Sequence, residues 1–256
     1  MSENRKFAFP YGAQIGIRDP IGSTLFILGF GIFIIIIRLF LRYVPYSRFI
    51  EELAIQDLIQ SWAPYGLYLI TFICIAPKLF KRSILSFITG RSSFLIQNSL
   101  YAFGVTIICL IAVDATLSLF TGQGNAFEFE TNRPFLLLLI SAFLILLPCV
   151  FEELIFRGFL LQTFQPTKSP PIFGALASSL IFALLHLWNP DIEHFGLIPM
   201  FLYFFTAAFM LCILAILSNG IELPIGVHTA NNIYAVLIVN LDSTQKADGS
   251  LISIPS

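Results

Sequence analysis

Two adjacent carboxylates and an arginine lie within one of the most apolar parts of this chain. Glu152, Glu153 and Arg157 follow a long run of Leu, Ile and Phe residues and precede another short apolar run. An ionised side chain at mid-membrane depth costs about 2.5–3.5 kcal/mol even on insertion scales, so each is a functional candidate. On a helix, Glu153 and Arg157 are i,i+4 neighbours that can form an ion pair. Glu152 is rotated about 100° away from Glu153 and needs a different partner.

Two of the three histidines occur in other apolar segments. Phe182 with His186, and His228 with Asn232, are each four residues apart and so share one helix face, whereas His194 lies in a polar stretch and is predicted to face solvent. A glutamate can act as a general base on a water molecule that a histidine orients. A second histidine and an asparagine amide can donate hydrogen bonds to the oxyanion of a tetrahedral intermediate. Such a set predicts hydrolysis of an acyl bond without a covalent intermediate.

The composition predicts that membrane helices carry these residues. The chain has 256 residues, of which 57% are hydrophobic and 11% charged, with a mean hydropathy of +0.87. Soluble domains contain about 25% charged residues, so the predicted fold class is all-α, a polytopic transmembrane helical bundle. A net charge of −1 gives no indication of nucleic-acid binding.

We predict about seven spans (six to eight) in a single integral membrane domain that covers residues 1–256. The predicted spans are 21–41, 63–80, 97–120, a segment that Pro134 opens, 172–187, 198–217 and 225–241. An interfacial helix is predicted within 42–62, and Pro148 predicts a bend or break just before the carboxylate pair. The distribution of Lys and Arg between the loops favours an N-terminus on the inside.

The fourth and fifth predicted spans are joined by a Pro-rich turn at 165–171. In an antiparallel pair, Glu152 and His186 would each lie about 20 Å from that turn at about 1.5 Å per residue. They can therefore meet at one depth, with a water molecule between them.

Three spacings occur in a fixed order: Glu-Glu-x-x-x-Arg at 152–157, Phe-x-x-x-His at 182–186 and His-x-x-x-Asn at 228–232. Together they resemble the CPBP/Abi family, which includes the Ras-converting CAAX prenyl endopeptidases and the bacteriocin-processing proteins. The resemblance covers a core of about 135–240, and the first 130 residues carry no matching motif.

The resemblance implies an intramembrane endopeptidase that cuts a peptide bond near the cytosolic membrane face. Glu152 would be the base, His186 its partner on the water, and His228 with Asn232 the oxyanion hole. Three further side chains would support them, namely Glu153, Arg157 and Phe182. The short chain favours a prokaryotic member in the cytoplasmic membrane, acting on a peptide or protein substrate with or without a lipid modification.

Other interpretations stay open. The same residues suit a non-catalytic membrane scaffold or a bacteriocin-immunity protein of the same fold, and a transporter lined by the charged residues is a weaker alternative because no inverted repeat is evident. Glu152, His186 and His228 could also supply a zinc site. No HExxH motif is present and the proposed chemistry needs no metal, so no cofactor is predicted.

A few other residues in the apolar segments carry structural predictions. The four cysteines, without CxxC spacing, are predicted to be buried free thiols; they are Cys74, Cys109, Cys149 and Cys212. Asp114 is predicted to serve helix packing or an interface. The 28 phenylalanines are expected to face lipid.

Overall fold

The chain is helical throughout the parts that the computed structural model describes, which are residues 20–41, 43, 59–121, 135–164 and 170–238. The helices are α1 Pro20–Leu41, α2 Pro64–Leu79, α3 Leu85–Ile88, α4 Ile96–Thr121, α5 Phe135–Glu153, α6 Ile172–Leu185, α7 Asp191–Phe195, α8 Leu197–Ser218 and α9 Glu222–Ile233. Helix α5 continues into a π-helical segment, Leu154–Leu160, and a last α-helical turn, Leu161–Thr163. Helix α9 likewise continues into a π-helical segment, Tyr234–Ile238.

Among the described residues, five helices are long and apolar enough to cross a membrane, which confirms the predicted helical membrane bundle. They are Gly22–Leu41, Ile59–Leu79, Ile96–Phe120, Leu138–Thr163 and Leu197–Ser218. The predicted fifth span is the shorter apolar helix Ile172–Trp188, and the predicted seventh span is α9 with its π-helical extension. Each of these short segments carries one of the two histidines of interest, His186 or His228.

The structure corrects one local prediction and leaves another mostly untested. Helix α5 runs through Pro148 as one helix, so the chain does not break there, and the departure from α-helical geometry begins instead at Leu154. A proline is tolerated inside a membrane helix where neighbouring groups satisfy the freed carbonyl. Most of the predicted interfacial helix at 42–62 lies outside the described residues, and 59–62 belong to the helical segment before α2.

Contacts between helices define the direction of each one. Helices α1 and α2 are antiparallel, since the Phe26 ring contacts Phe80 and the Tyr68 hydroxyl donates to the Ile34 carbonyl. Helices α4 and α9 are parallel, since Ser99 donates to the Glu222 carbonyl and Tyr234 donates to Asp114. Helices α6 and α8 are antiparallel, since 179 contacts 212 and 186 contacts 204. The end of α2 and the starts of α4, α6 and α9 therefore lie on one face of the bundle.

We call this face the basic face because Lys78, Lys81, Arg82 and Arg91 lie on it. The Arg82 guanidinium is buried and donates to Gln162 Oε1 at 2.8 Å, which ties the end of α2 to the last turn after the π-helical segment. Burial lowers the pKa of Arg82 to about 10, because desolvation disfavours the charged form.

Phenylalanines form much of the core, contrary to the expectation that they face lipid. Their rings pack edge-to-face or tilted at centroid distances of 5.3–6.3 Å between α1, α2, α3 and the α5 run. The buried members include Phe26, Phe72, Phe87 and Phe159. Edge-to-face contacts add stability beyond the burial of area, so this cluster holds the first two helices against the helix that carries the carboxylates.

An ion pair between a buried carboxylate and a partly exposed arginine fixes the start of α9. Glu222, 1% exposed, lies 3.1 Å from the guanidinium of Arg91, and Ser99 donates to the Glu222 carbonyl at 2.7 Å. The backbone N–H of Ile221 also donates to Ile88 O at 2.9 Å. A carboxylate in the first turn is favoured by the helix dipole. The position of α9, and hence of His228, is therefore set by contacts with the α3–α4 loop and with α4.

Helices α4 and α9 approach so closely at Gly226 that a larger residue cannot fit. A Cβ at 226 would lie 2.9 Å from the Phe103 backbone nitrogen and would also meet the Ser99 carbonyl oxygen. We predict that Gly226→Ala lowers the free energy of unfolding by about 1–3 kcal/mol, the usual cost of overpacking. Thermal or denaturant unfolding in detergent micelles measures this change.

The matched control is Gly104→Ala in α4, where a Cβ would meet nothing within 4 Å. That substitution should leave stability unchanged or raise it by up to about 1 kcal/mol, since alanine is the better helix former. Equal stability of both variants would contradict the close approach.

Candidate active site

The buried pair Glu153–Arg157 confirms the ion pair predicted from the i,i+4 spacing. Both side chains are 0% exposed, and Arg157 Nη1 lies 2.8 Å from Glu153 Oε1. Arg157 Nη2 also donates to Ala208 O in α8 at 3.1 Å, and its guanidinium lies over the Phe182 ring in α6 at 5.2 Å. The ion pair thus connects the α5 run to α6 and α8.

His228 connects the ion pair to the second carboxylate. Its Nδ1 lies 2.7 Å from Glu153 Oε1, and because an ionised carboxylate only accepts, Nδ1–H is the donor. Its Nε2 lies 3.8 Å from Glu152 Oε2. Glu152, rotated away from Arg157, therefore has His228 as its partner.

The two glutamates have different surroundings despite being adjacent. The side chain of Glu153 is fully buried, whereas that of Glu152 is 16% exposed. Within the described parts of the chain, no hydrogen bond reaches the Glu152 carboxylate, and the His228 imidazole lies 3.8 Å away. Glu152 is consequently the more accessible of the two carboxylates.

Asn232 lies one helical turn beyond His228 and contacts a thiol. Its Nδ2 lies 3.4 Å from Cys149 Sγ, and its Oδ1 accepts from Asn231 Nδ2 at 3.5 Å. His228 thus contacts Glu153, and Asn232 contacts Cys149 one turn away. The two contacts show that α9 and α5 are antiparallel here. An amide has two N–H donors, so one of them is left for another acceptor, and the predicted role of Asn232 at an oxyanion remains a prediction.

His186 forms the end of α6, where the helix tightens into a 3₁₀ turn. Its Nδ1 lies 2.8 Å from the Phe182 carbonyl oxygen, which can only accept, so Nδ1 carries the hydrogen. In the neutral imidazole, Nε2 is then the acceptor. The ring is stacked on Phe182 at 4.0 Å and lies 4.7 Å from the Phe204 ring. The aromatic contacts fix the plane of the imidazole and leave Nε2 as its free acceptor.

Glu152 and His186 lie at a similar level in their helices. Ser178 donates to the Phe156 carbonyl at 2.7 Å, and the Phe156 ring lies 4.9 Å from the Phe182 ring. Glu152 lies one turn before Phe156, and His186 lies one turn after Phe182. Because the α5 run and α6 are antiparallel, both steps go in the same direction along the bundle, so the two residues lie at a similar level. No direct contact joins them in the described chain, and the shared water between them remains a prediction.

The π-helical segment requires a glycine where it passes α3. A Cβ on Gly158 would collide with the Phe87 carbonyl oxygen, so the backbone of the segment approaches α3 more closely than a side chain would allow. π-Helical segments occur frequently at functional sites, and this one includes Arg157 and directly follows Glu153.

The residues considered for zinc are only partly gathered in the structure. In the described residues, no group of three or more His, Cys, Asp or Glu side chains is arranged to hold a metal ion. Glu152 and His228 are close together, and the bond from His186 Nδ1–H to a carbonyl leaves its Nε2 open to a metal as well as to water, so the absence of a cofactor remains a prediction.

The cysteine prediction is correct for two residues and wrong for two. Cys149 and Cys212 are buried, but Cys74 and Cys109 are exposed on the outer surface of apolar helices. An exposed apolar surface on a membrane helix faces lipid, which accepts a thiol as readily as a protein core does. Asp114 packs against another helix as predicted, because it accepts a hydrogen bond from the Tyr234 hydroxyl.

Sequence reasoning missed Cys149 and Glu222. Cys149 precedes Glu153 by four residues and therefore shares its helix face, a signal that could have been used. Glu222 had no such signal, because its partner Arg91 is distant in the sequence.

Comparisons with known proteins agree with the three motifs. The curated protein "Uncharacterized protein YyaK" of Bacillus subtilis (strain 168) is 27% identical over 196 residues, which is 74% of this chain and 65% of YyaK. The chain thus spans slightly less than two thirds of the length of this relative. No solved structure matches the chain. Residues 134–234 match the family described as Type II CAAX prenyl endopeptidase Rce1-like, so the predicted resemblance is confirmed over this segment, which we call the Rce1-like segment.

Proposed function

We propose that this protein is an intramembrane endopeptidase in which Glu152 activates a water molecule for attack on a peptide bond. The observation that carries the proposal is the pairing of a partly exposed carboxylate with an imidazole, Glu152 with His228, beside a fully buried ion pair. The match of residues 134–234 to a family of endopeptidases supports the same chemistry.

In this scheme, Glu152 takes a proton from the water as the oxygen bonds to the carbonyl carbon of the peptide. His186 holds the same water through Nε2, because its Nδ1–H is bound to the Phe182 carbonyl. When the C–N bond breaks, Glu152 returns the proton to the leaving amine. This is general acid–base catalysis by one carboxylate, and it needs neither a metal nor a covalent intermediate.

The oxyanion would be stabilised by His228 and Asn232. For that purpose His228 must carry a proton on Nε2 as well as on Nδ1, since Nδ1–H is already bound to Glu153. Donors that are fixed before reaction in a water-poor site are effective at this step.

The substrate that this site suits is a peptide or protein, with or without a lipid modification, that reaches the helices from the membrane or its surface. Because the basic face carries Lys78, Lys81 and Arg91, we infer that it is cytosolic and that the N-terminus is inside. His228 lies only about 9 Å along α9 from its start on that face. A relative in Bacillus subtilis supports a prokaryotic cytoplasmic membrane.

A non-catalytic scaffold is the alternative, and one observation favours it. Arg157 joins α5, α6 and α8 through fully buried contacts, which is a structural role in itself. The two functions differ in their dependence on Glu152, whose side chain is partly exposed and whose loss leaves that ion pair intact.

We predict that Glu152→Gln lowers the cleavage rate by about 10²–10⁴-fold, the range of general base catalysis, while the protein still folds. The assay uses purified protein in liposomes and a set of quenched fluorescent peptides, with and without a farnesylated cysteine. His228→Ala should have a comparable effect because it removes the partner of Glu152.

The matched controls are Glu193→Gln and His194→Ala, which alter the same residue types at exposed positions in α7. Both variants should cleave like the wild type. Cleavage that survives Glu152→Gln would leave the scaffold as the better interpretation.

Arg157→Gln should destabilise the protein by about 3–5 kcal/mol, because removal of one partner leaves the buried Glu153 charge uncompensated. The measurement is the unfolding midpoint in micelles. Lys78→Gln, at an exposed cation in the last turn of α2, is the control and should unfold like the wild type. An unchanged midpoint for Arg157→Gln would argue against a charged Glu153.

We also predict that metal removal leaves activity unchanged. Purified protein should contain far less than one zinc per chain, and 1,10-phenanthroline should not slow peptide cleavage, whereas a zinc peptidase treated in parallel should lose activity. Inactivation that added zinc reverses would instead support a metal site at Glu152, His186 and His228.

A further inference from the structure

Cys149 belongs to none of the three motifs, although it lies within the Rce1-like segment. Its side chain is 0% exposed, and Asn232 Nδ2 donates to its sulfur at 3.4 Å. One turn away along both helices, His228 Nδ1 lies 2.7 Å from Glu153 Oε1. Cys149 and Glu153 share one face of α5 because they are four residues apart. That face therefore holds both residues proposed for the oxyanion hole.

The amide of Asn232 is engaged at both of its polar atoms. Its Oδ1 accepts from Asn231 Nδ2 at 3.5 Å, and its Nδ2 donates to Cys149 Sγ. Because the amide group is planar, these two contacts fix the direction of the second Nδ2–H bond. Of the two adjacent amides on α9, Asn232 is the one whose nitrogen is bound to α5.

The sulfur belongs to a small apolar cluster that shields this contact from bulk water. Ile145 and Leu237 are buried beside Cys149, and four partly buried residues pack against them, namely Trp62, Ala142, Ile233 and Val236. A free thiol suits such a place because it behaves as a small apolar group with a weak acceptor. Replacing it with a methyl group would leave a gap and remove the acceptor of an amide N–H.

Cys212 provides a comparison within the same chain. It is also 0% exposed, and its sulfur lies 3.7 Å from the Ser179 hydroxyl, between α8 and α6. Neither of these two residues is proposed to touch the substrate. Of the two buried cysteines, Cys149 alone contacts a residue assigned to the reaction.

We propose that Cys149 is a positioning residue whose sulfur accepts one N–H of Asn232 and thereby directs the second N–H towards the oxyanion. The effect on the reaction rests on the proposed peptidase function, but the contact itself does not. The same contact determines which of the adjacent amides, Asn231 or Asn232, serves at this step.

The kinetic test changes the acceptor. Cys149→Ala should lower kcat about two- to tenfold with KM unchanged, the loss expected for one hydrogen bond between neutral groups, in the liposome assay with quenched fluorescent peptides. Cys149→Ser keeps an acceptor and should retain most of the wild-type kcat. Cys212→Ala is the matched control and should cleave like the wild type.

A double-mutant cycle distinguishes positioning from a general effect on packing. Asn232→Ala alone should lower kcat about 10²–10³-fold, the cost of losing one oxyanion donor. Adding Cys149→Ala to Asn232→Ala should cause no further loss, because the sulfur acts only through the amide. If the thiol served packing alone, its loss would lower kcat by the same factor in both backgrounds.

A second test needs no substrate. The side-chain ¹⁵N–¹H signals of Asn232 are recorded in micelles with ¹⁵N-asparagine-labelled protein and are assigned by their loss in Asn232→Ala. The proton signal should move upfield in Cys149→Ala, which removes the acceptor, and should stay in place in Cys212→Ala. Cys149→Ser, which supplies a stronger acceptor and fills most of the space, should move the same signal downfield, so the test does not depend on the folding of Cys149→Ala.

The outcomes separate this inference from the proposed function. Unchanged Asn232 signals in the Cys149 variants, or a loss of kcat from Cys149→Ala that persists beside Asn232→Ala, would overturn the positioning role even if the protein is a peptidase. Signal shifts confined to the Cys149 variants would support the contact even if no peptide is cut.

Discussion

The structure depends on the cost of placing charge in an apolar medium. Glu153 and Arg157 are fully buried in a helix whose surroundings are hydrocarbon and aromatic rings, and an unpaired charge there is too costly to keep. Each must therefore hold its partners at hydrogen-bonding distance. The hydrogen-bonding partners come from α8 and α9, and the Phe182 ring of α6 lies under the guanidinium at 5.2 Å, so satisfying one pair of charges sets the relative depth of four helices.

The same requirement separates the functions of two adjacent glutamates. Glu153 is fully buried and binds both Arg157 and His228 through Oε1, which makes it part of the framework. Glu152 faces another direction and shares His228 at a longer distance, with acceptor positions left open. Two carboxylates whose surroundings differ can take different roles in one reaction. One imidazole in contact with both couples the framework to the reactive group.

Local spacing predicted the parts of the site that lie on single helices. The pairing of Glu153 with Arg157 and the shared faces of Phe182 with His186 and of His228 with Asn232 follow from the helical repeat alone. Contacts between helices were not predictable in this way. Arg91 with Glu222, and Glu152 with His228, join residues that are far apart in sequence, and no local pattern indicates which helices are neighbours.

The apolar residues were also difficult to assign from sequence. Lipid and protein core are equally apolar, so hydropathy does not distinguish Phe72, which is fully buried, from Phe120, which is 87% exposed. The same ambiguity explains the two cysteines on the outer surface. Fold class was predictable because it depends on total hydropathy, whereas the position of the core depends on which apolar faces meet.

The modest length of α6 has a consequence for the lipid around the protein. Ile172–Trp188 extends about 25 Å, less than the hydrocarbon thickness of about 30 Å. Hydrophobic mismatch of this kind is relieved when the bilayer thins beside the short helix. In the leaflet opposite the basic face, headgroups and their hydration shell would then lie closer to the end of α6, where His186 lies. Water could thus reach the site from the membrane surface on that side rather than through a long channel.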